Sequence, residues 1–236
     1  MTERYCPRCG HVVELCGCRE FPGDPRVECA CGWASHPRDA LSEPLLVKGK
    51  MPYVSIDLET TGLNYDYCQI LEIGAVYDDW TKPVAELPVY HRYIQDTVYT
   101  GEPFGLALNA AILKRLSGDA EDNWLLASEV AEDFVDWLQI DCGWGNTDNH
   151  KITATGKNFG TFDLPFLRKI GRFPFAHRVL DPAPLYFRPL EDEGLPDTKT
   201  CMERAGLDGK VAHTAVEDAI AVVKLIRYAF SQRSPL

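Results

Sequence analysis

The chain has 236 residues, and its composition, 45% hydrophobic and 25% charged, is typical of a folded globular protein rather than a disordered one. Its net charge at pH 7 is −11, so its surface lacks the positive charge with which proteins wrap long nucleic acid. The first residues lack the apolar core of a signal peptide, and no apolar run approaches the roughly 20 residues of a membrane span. We therefore expect a soluble, cytoplasmic protein without a membrane partner.

The first part of the chain is rich in cysteine. Six of the nine cysteines fall within the first 31 residues, as three close pairs: Cys6 and Cys9, Cys16 and Cys18, Cys29 and Cys31. In a reducing compartment such pairs are typical of metal ligands, and four thiolates are a usual ligand set for structural zinc. We therefore predict a Cys-rich module over residues 1–44 that binds at least one structural Zn²⁺.

The ligand set of this module stays open. The first two pairs together would form a compact knuckle, whereas the first and third pairs would form a two-knuckle ribbon. With His11 and His36 added, two zinc ions also fit. The alternative is a flexible segment with unligated thiols, but a segment this short needs metal binding to fold.

A second domain is predicted over residues 45–236, after a linker at 42–52. Apolar patterns predict three strands in succession, joined as an antiparallel meander, followed by helices and strands in mixed order. The predicted strands cover 52–59, 70–78, 88–95, 151–156 and 177–182, and the predicted helices cover 103–118, 125–140, 163–171, 198–206 and 214–230. This order indicates an α/β domain with a mixed sheet.

Two carboxylates stand at the end of the first predicted strand of this domain, in the stretch VSIDLETTGL. Asp57 and Glu59 are two residues apart and therefore point to the same face of the strand. Two carboxylates this close repel each other, and a divalent cation such as Mg²⁺ or Mn²⁺ would relieve the repulsion. The alternative is an ordinary turn in which Glu59 faces solvent.

The stretch HTAVEDA holds a second candidate group. Thr214 and Glu217 have the spacing of a capping box, so the last helix is expected to begin after Thr214. His213 would then lie on the preceding loop and Asp218 in the first turn, which lets both reach one site. The alternative is that Glu217 and Asp218 only complement the helix dipole.

The stretch GKNFGTFDLPFL supplies a third acid, Asp163. An Asp that comes before a first turn containing proline is also a good N-cap residue, so a purely structural role is the alternative.

In this order, DLETTG, NFGTFDLPFL and HTAVED resemble the three motifs of the DEDDh (DnaQ-like) 3′–5′ exonucleases, a family that includes proofreading subunits, RNase T and oligoribonuclease. The resemblance covers roughly residues 51–230, and ILEIGAV and EPFGLALNAAIL are similar to the connecting segments of the family. The spacing of His213 and Asp218 matches the histidine branch. The matched positions are Asp57, Glu59, Asp163, His213 and Asp218.

The resemblance implies an RNase H-like fold, in which a mixed five-stranded sheet is flanked by helices. It also implies a two-metal mechanism with two Mg²⁺ or Mn²⁺ ions. The expected metal ligands are Asp57, Glu59, Asp163 and Asp218. His213 would accept the proton of the attacking water, and a 5′-mononucleotide would leave.

By the same resemblance, the turn after the metal carboxylates contacts the 3′-terminal nucleotide, with Phe162 as a possible stacking partner for a base. Asn158 either bonds the scissile region or shapes its loop. The roles of Glu72 and Asn109 stay open between the site and the scaffold. The expected substrate contacts are Thr60, Thr61, Gly62, Leu63, Asn158 and Phe162.

The expected partners are the 3′ ends of single-stranded DNA or RNA and short oligonucleotides, since the acidic surface favours small substrates. A homodimer and a polymerase or replication partner are both open. Two other functions fit the sequence less well: a non-catalytic adaptor that binds nucleic acid or protein through the zinc module, and a phosphodiesterase for a small nucleotide.

Overall fold

The computed structural model describes residues 51–118, 123–145, 151–207 and 214–232, together with residues 19–20 and 27–28. The chain divides into two compact units, Met1–Leu45 and Leu46–Leu236. In the first unit, strand β1 (Arg19–Glu20) pairs antiparallel with β2 (Val27–Glu28). The six cysteines predicted to bind zinc, and His213, lie outside the described residues.

The second unit contains the predicted mixed five-stranded sheet. Its strands lie in the order β6-β5-β4-β3-β7. The central three form the predicted antiparallel meander, while β7 runs parallel to β3, and β6 runs parallel to β5. The strands are β3 (Tyr53–Thr60), β4 (Ile70–Asp78), β5 (Val89–Gln95), β6 (Trp124–Leu126) and β7 (Thr153–Thr155).

Helices cover both faces of this sheet. They are α1 (Pro103–Leu108), α2 (Ala110–Leu116), α3 (Val130–Ile140), α4 (Asp163–Ile170), α5 (Ala183–Tyr186), α6 (Thr198–Ala205) and α7 (Ala215–Ser231). A 3-10 turn spans Val84–Glu86. Within the described part of the chain, no helix combines the length and the apolar character that a bilayer crossing needs.

The alternation of side chains along β3 decides which face carries the acids. Ile56 and Leu58 lie in the core that contains Phe134 of α3 and Phe166 of α4. On the opposite face, Tyr53 packs in the cluster formed with α7. Because successive side chains point to opposite faces, Asp57 and Glu59 share the face of Tyr53 and lie on the side covered by α7.

A buried ion pair fixes α7 along this face. The Arg227 guanidinium donates from Nε to Asp78 Oδ2 (2.8 Å) and from Nη2 to Asp78 Oδ1 (2.7 Å), and the Tyr53 hydroxyl donates to Asp78 Oδ2 (2.7 Å). Asp78 and Arg227 are 0% and 6% exposed. Because Asp78 ends β4, this bidentate contact sets how far α7 lies along the sheet, and so where its first turn falls.

The structure corrects the predicted fifth strand. Residues 177–182 form no strand; within them only Leu180 forms an isolated bridge to β7, with Thr155, and a second isolated bridge, Ile152 to Phe175, lies just before the segment. The strand ladder cannot continue there because Pro182 has no amide hydrogen to donate, and the Asp181 carboxylate accepts backbone amides instead. The fifth strand is β6, which was predicted as the beginning of a helix over 125–140.

The predicted helix over 103–118 is two helices. The chain leaves the helical conformation at Asn109, with φ −96° and ψ 22°. The Asn109 side chain is buried and its Nδ2 donates to the Thr60 carbonyl oxygen (2.9 Å). A tertiary contact therefore breaks a segment whose own apolar spacing is continuous, and it turns the Asn109 side chain toward the end of β3 rather than toward solvent.

Candidate active site

Carboxylates from β3 and α7 meet at the end of the sheet. Oxygen atoms of Asp57, Glu59 and Asp218 lie within 4.8 Å of one another. All three residues are half-buried. Asp57 and Glu59 belong to one strand, whereas Asp218 is far away in sequence and is brought here by the docking of α7.

A glycine in β4 makes this docking possible. Gly74 pairs with Asp57 in the sheet register. A Cβ atom built at Gly74 would overlap the Ala215 carbonyl carbon and the Val216 amide nitrogen. Only glycine therefore lets the first turn of α7 lie directly on β4. The sequence analysis did not identify this residue, although a glycine inside a strand signals such a close approach.

The predicted capping box begins α7 as expected. Thr214 is the N-cap, and its Oγ1 accepts from the Glu217 amide (3.4 Å) while its hydroxyl donates to Glu217 Oε2 (2.8 Å). The Asp218 amide donates to the Thr214 carbonyl oxygen (3.0 Å). Asp218 therefore sits in the first helical turn, held over β3.

Asp163 is buried beside this group, only 2% exposed. It is the first residue of α4, and no side chain caps that helix. The structure therefore rules out the alternative in which Asp163 serves as an N-cap. After burial, Asp163 is the largest electrostatic influence that raises the pKa of Asp57.

Three carboxylates of this site have raised pKa values. Burial raises the pKa of Asp57 well above its usual range, and Asp163, Asp218, Glu59 and Glu72 add to the effect. Burial raises the pKa of Glu59 to about 7; a hydrogen bond from Asn109 opposes this, and Glu72 and Asp218 add to it. Burial likewise raises the pKa of Asp163 to about 8, although hydrogen bonds with the backbone of Asp163 and Leu58 lower it.

This donor set fits hard divalent cations. Clustered, partly desolvated carboxylates are costly to ionise together unless positive charge is placed among them. Carboxylate oxygens are the ligands that Mg²⁺ and Mn²⁺ prefer. Asp57, Glu59 and Asp218 form the cluster able to hold an ion, and Asp163 lies close enough to Asp57 to raise its pKa.

Glu72 adds a fifth acid that is buried behind the cluster. It is 3% exposed and pairs with Glu59 across the β3–β4 ladder. Its Oε1 lies 2.7 Å from His91 Nε2 on β5. His91 was not identified from the sequence; it pairs with Gly74 in the sheet register, which only the structure gives.

The turn after Glu59 is built by internal hydrogen bonds. The buried Thr61 hydroxyl donates to the Thr100 carbonyl oxygen (2.6 Å) and accepts from the Gln69 amide (2.8 Å). The Thr60 hydroxyl donates to the Gly62 carbonyl oxygen (2.7 Å). The structure thus places both threonine side chains inward, where they shape the turn.

Apolar side chains are exposed next to this turn. Leu63 and Phe104 are 73% and 78% exposed. A Cβ atom at Gly105 would lie 2.6 Å from the Thr61 carbonyl, so α1 packs tightly against the turn. The Leu63 amide also donates to Glu102 Oε2 (3.0 Å), just before α1. Leu63 and Phe104 therefore stand on two elements that are fixed to each other.

The loop before Asp163 is anchored by Asp181. Asn158 has a left-handed backbone, φ 59°, and its amide donates to Asp181 Oδ2 (2.9 Å). The amides of Thr161 and Phe162 both donate to the Asn158 carbonyl oxygen (3.0 Å). These contacts favour the loop-shaping role of Asn158. Asp181 was missed, although an Asp-Pro pair signals a turn.

The comparisons with known proteins agree with this geometry. A family model described as "Exonuclease" matches residues 54–226, and the chain belongs to this family. The DEDDh resemblance and the RNase H-like fold are thereby confirmed. None of the curated proteins compared with the chain matches it.

Three solved structures share the fold. E. coli Exonuclease I in complex with a dA16 oligonucleotide has a TM-score of 0.56 and 16% identity, over 78% of this chain and 42% of that chain. The nuclease domain of 3′hExo, a DEDDh family member, bound to rAMP, has a TM-score of 0.57 and 14% identity, over 78% of this chain and 94% of that chain. Cell-death related nuclease 4 has a TM-score of 0.56 and 14% identity, over 76% of this chain and 64% of that chain. The chain thus spans less than half the length of Exonuclease I.

Gly74→Ala tests how α7 is positioned. We expect the added methyl group to destabilise the protein by about 1–3 kcal/mol, as overpacking does, and to weaken Mn²⁺ binding because Asp218 is displaced. Denaturant unfolding and calorimetric titration with Mn²⁺ measure the two effects. Gly145→Ala is the control, since nothing lies within 4 Å of its Cβ position. Unchanged Mn²⁺ affinity in Gly74→Ala would contradict this account of the site.

The pH dependence of stability tests the carboxylate cluster. The pKa values of Glu59 and Asp163 are raised to about 7 and about 8. The folded protein therefore keeps protons that the unfolded chain has released, and stability falls as pH rises between about 5 and 8. In EDTA, the melting temperature should fall over this range, and Mn²⁺ should restore it.

Asp163→Asn is the matched control for this pH experiment, because it removes one titrating group at constant shape and should flatten the profile. A melting temperature in EDTA that rises between pH 5 and 8 would show that the acids are not mutually destabilising.

Proposed function

We propose that this protein is a 3′–5′ exonuclease that hydrolyses the terminal phosphodiester of single-stranded DNA, RNA or short oligonucleotides and releases 5′-mononucleotides. The observation that carries the proposal is the meeting of Asp57, Glu59 and Asp218 within 4.8 Å, beside the buried Asp163, in a chain of the exonuclease family. A scaffold protein has no need to gather carboxylates whose pKa values are raised by one another.

Asp57, Glu59, Asp163 and Asp218 would hold two divalent ions, Mg²⁺ or Mn²⁺. When bound, such ions supply Lewis-acid activation of water and neutralise charge on the phosphodiester. The chain's contribution is rigidity: β3 fixes Asp57 and Glu59, α4 begins at Asp163, and the Gly74 contact fixes Asp218.

His213 is the proposed general base. It directly precedes Thr214, the N-cap of α7, so in sequence it is tied to the helix that carries Asp218. An imidazole exchanges protons near neutral pH, which suits it to accept the proton of the attacking water. The proton leaves as the water oxygen attacks phosphorus, and the bond to the 3′ oxygen of the preceding nucleotide breaks.

The terminal nucleotide would lie against the turn after Glu59. Leu63 and Phe104 offer exposed apolar surface there. A Cβ atom at Gly62 would lie 2.7 Å from Cys68 Sγ and 2.9 Å from Glu102 Cβ, so the lack of a side chain at Gly62 lets the turn pack against the protein itself. Phe162 is half-buried, with its ring 5.3 Å from that of Phe166, and stays a candidate for stacking on a base. Support for a single-stranded substrate comes from E. coli Exonuclease I, whose structure holds a dA16 oligonucleotide.

The direct test uses 5′-labelled single-stranded DNA and RNA with Mg²⁺, Mn²⁺ or EDTA. We expect a ladder of shortening labelled products that depends on metal. Asp57→Asn should lower the rate by at least about 100-fold, since even outer-shell residues of metal sites contribute 10–100-fold. The control is Asp136→Asn, an exposed residue of α3.

Immediate release of the 5′ label as a mononucleotide would overturn the proposed polarity. Binding of oligonucleotides without any hydrolysis would favour the adaptor function instead. Cleavage of a small or cyclic nucleotide, with oligomers left intact, would favour a phosphodiesterase for small nucleotides.

We further propose that the Cys-rich module binds structural zinc. Strand β1 begins one residue after Cys18, and β2 ends one residue before Cys29. Because Arg19 and Glu28 are partners in this strand pair, a ligand set that includes the pairs on either side of it is favoured. Those pairs are Cys16 with Cys18 and Cys29 with Cys31.

Metal analysis tests the zinc proposal. The purified protein should contain at least one zinc per chain, measured by plasma mass spectrometry after dialysis. Cys18→Ala and Cys29→Ala should each lower the zinc content, because a structural site needs all four ligands. Cys142→Ala, in the catalytic unit, should leave it unchanged. A protein that holds no zinc would refute the proposal.

A further inference from the structure

The negative charge of the chain is unevenly distributed. Residues 151–180 contain six Lys or Arg residues and a single acid, Asp163, for a local net charge of +5 within a chain of net charge −11. The one acid of this stretch is itself a proposed metal ligand. The rest of the chain is therefore more acidic than the overall figure suggests, and this stretch stands out from it.

The basic stretch lies on both sides of Asp163 in sequence, and its parts contact one another in the fold. It comprises β7, the loop before Asp163, helix α4, which begins at Asp163, and a returning segment that bridges back to β7. The returning segment touches the loop, since a Cβ atom at Gly160 would lie 3.2 Å from Val179 Cγ2. All of these pieces are tied to the acid that they flank.

The cations of this stretch are available to a ligand. Arg168, Arg172 and Arg178 are exposed, and among the described residues none of them forms an ion pair. Lys169 differs, because its Nζ donates to the Tyr65, Asp66 and Cys68 carbonyl oxygens. The arginines of the described chain that pair with an acid include Arg92, Arg188, Arg204 and Arg227, which all lie outside this stretch.

We propose that residues 151–180 bind the nucleic-acid strand upstream of the scissile bond, and that Arg168 and Arg178 neutralise its phosphates. This rests on the proposed function, because the strand is placed by its 3′ end at the metal cluster. The rest of the chain is strongly acidic and repels phosphates. Arg168, in the last turn of α4, and Arg178, in the returning segment, are exposed guanidinium groups of the kind that binds phosphate in bidentate fashion.

The role of these arginines distinguishes this protein from one that handles only the last nucleotide. A strand long enough to reach Arg168 and Arg178 gains affinity that a dinucleotide cannot gain. The protein should therefore favour oligonucleotides over dinucleotides, and this preference should weaken with salt, because phosphate contacts release counterions.

The test compares Arg168→Gln/Arg178→Gln with Lys82→Gln/Lys224→Gln. Both double variants remove two positive charges, and Lys82 and Lys224 are exposed. Binding of a 5′-fluorescein single-stranded 20-mer is measured by anisotropy over a range of salt, with Ca²⁺ in place of Mg²⁺ to suppress turnover. Each lost phosphate contact on a single strand lowers the slope of log K against log salt by about 0.7.

We expect the slope of the arginine variant to be smaller by about 1.4, because two phosphate contacts are lost. If the two proteins bind equally at 1 M salt, this difference in slope makes the variant bind roughly 25-fold more weakly at 0.1 M salt. The lysine variant should change little. The ratio of kcat/KM for the 20-mer to that for a trinucleotide should fall only in the arginine variant.

Equal loss of binding in both variants, or no loss in either, would overturn the inference. In that case metal-dependent hydrolysis by the wild type would leave the proposed function standing. Conversely, if the wild type hydrolyses neither the 20-mer nor the trinucleotide, the proposed function fails, whatever the dependence of binding on salt shows. Circular dichroism and the melting temperature confirm that both variants are folded.

Discussion

Mutual repulsion among carboxylates at one end of the sheet is the constraint on which the site depends. Asp57, Glu59 and Asp163 each have a raised pKa because burial removes water and the neighbouring acids add negative charge. Such a cluster persists only if the scaffold holds it against its own repulsion, or if cations occupy it. The fold supplies the first condition, and the donor set is suited to the second.

The scaffold meets this demand with contacts that lie away from the acids themselves. Gly74 lets the first turn of α7 lie on β4, and the Asp78–Arg227 pair fixes the same helix further along the sheet. Asn109 holds the Thr60 carbonyl, and Asp181 holds the loop before Asp163. Asp218, the end of β3 at Glu59, and Asp163 are therefore positioned by different contacts, so loss of one contact should displace one part of the site and leave the rest of the sheet in place.

The distribution of charge over the whole chain also bears on how nucleic acid would bind. A net charge of −11 is unfavourable for binding long nucleic acid, which is consistent with the proposed action on a strand end rather than on a long duplex. The proposed basic stretch around Asp163 would give a strand one favourable approach. In this view one of the acids that hold the metals, Asp163, and the cations that hold the strand belong to the same short part of the chain, α4 and the segments beside it.

The sequence by itself determined the features that depend on near neighbours: the meander, the shared face of Asp57 and Glu59, the capping box at Thr214, and, through the resemblance, the family. Only the tertiary structure decided that β6 rather than 177–182 is the fifth strand, that Asn109 divides a helix, and that Asp163 is buried in the site instead of capping α4. Local patterns record which side chains share a face. They do not record which distant segments touch, because that depends on packing such as the contact at Gly74, where a missing side chain brings Asp218 to Asp57.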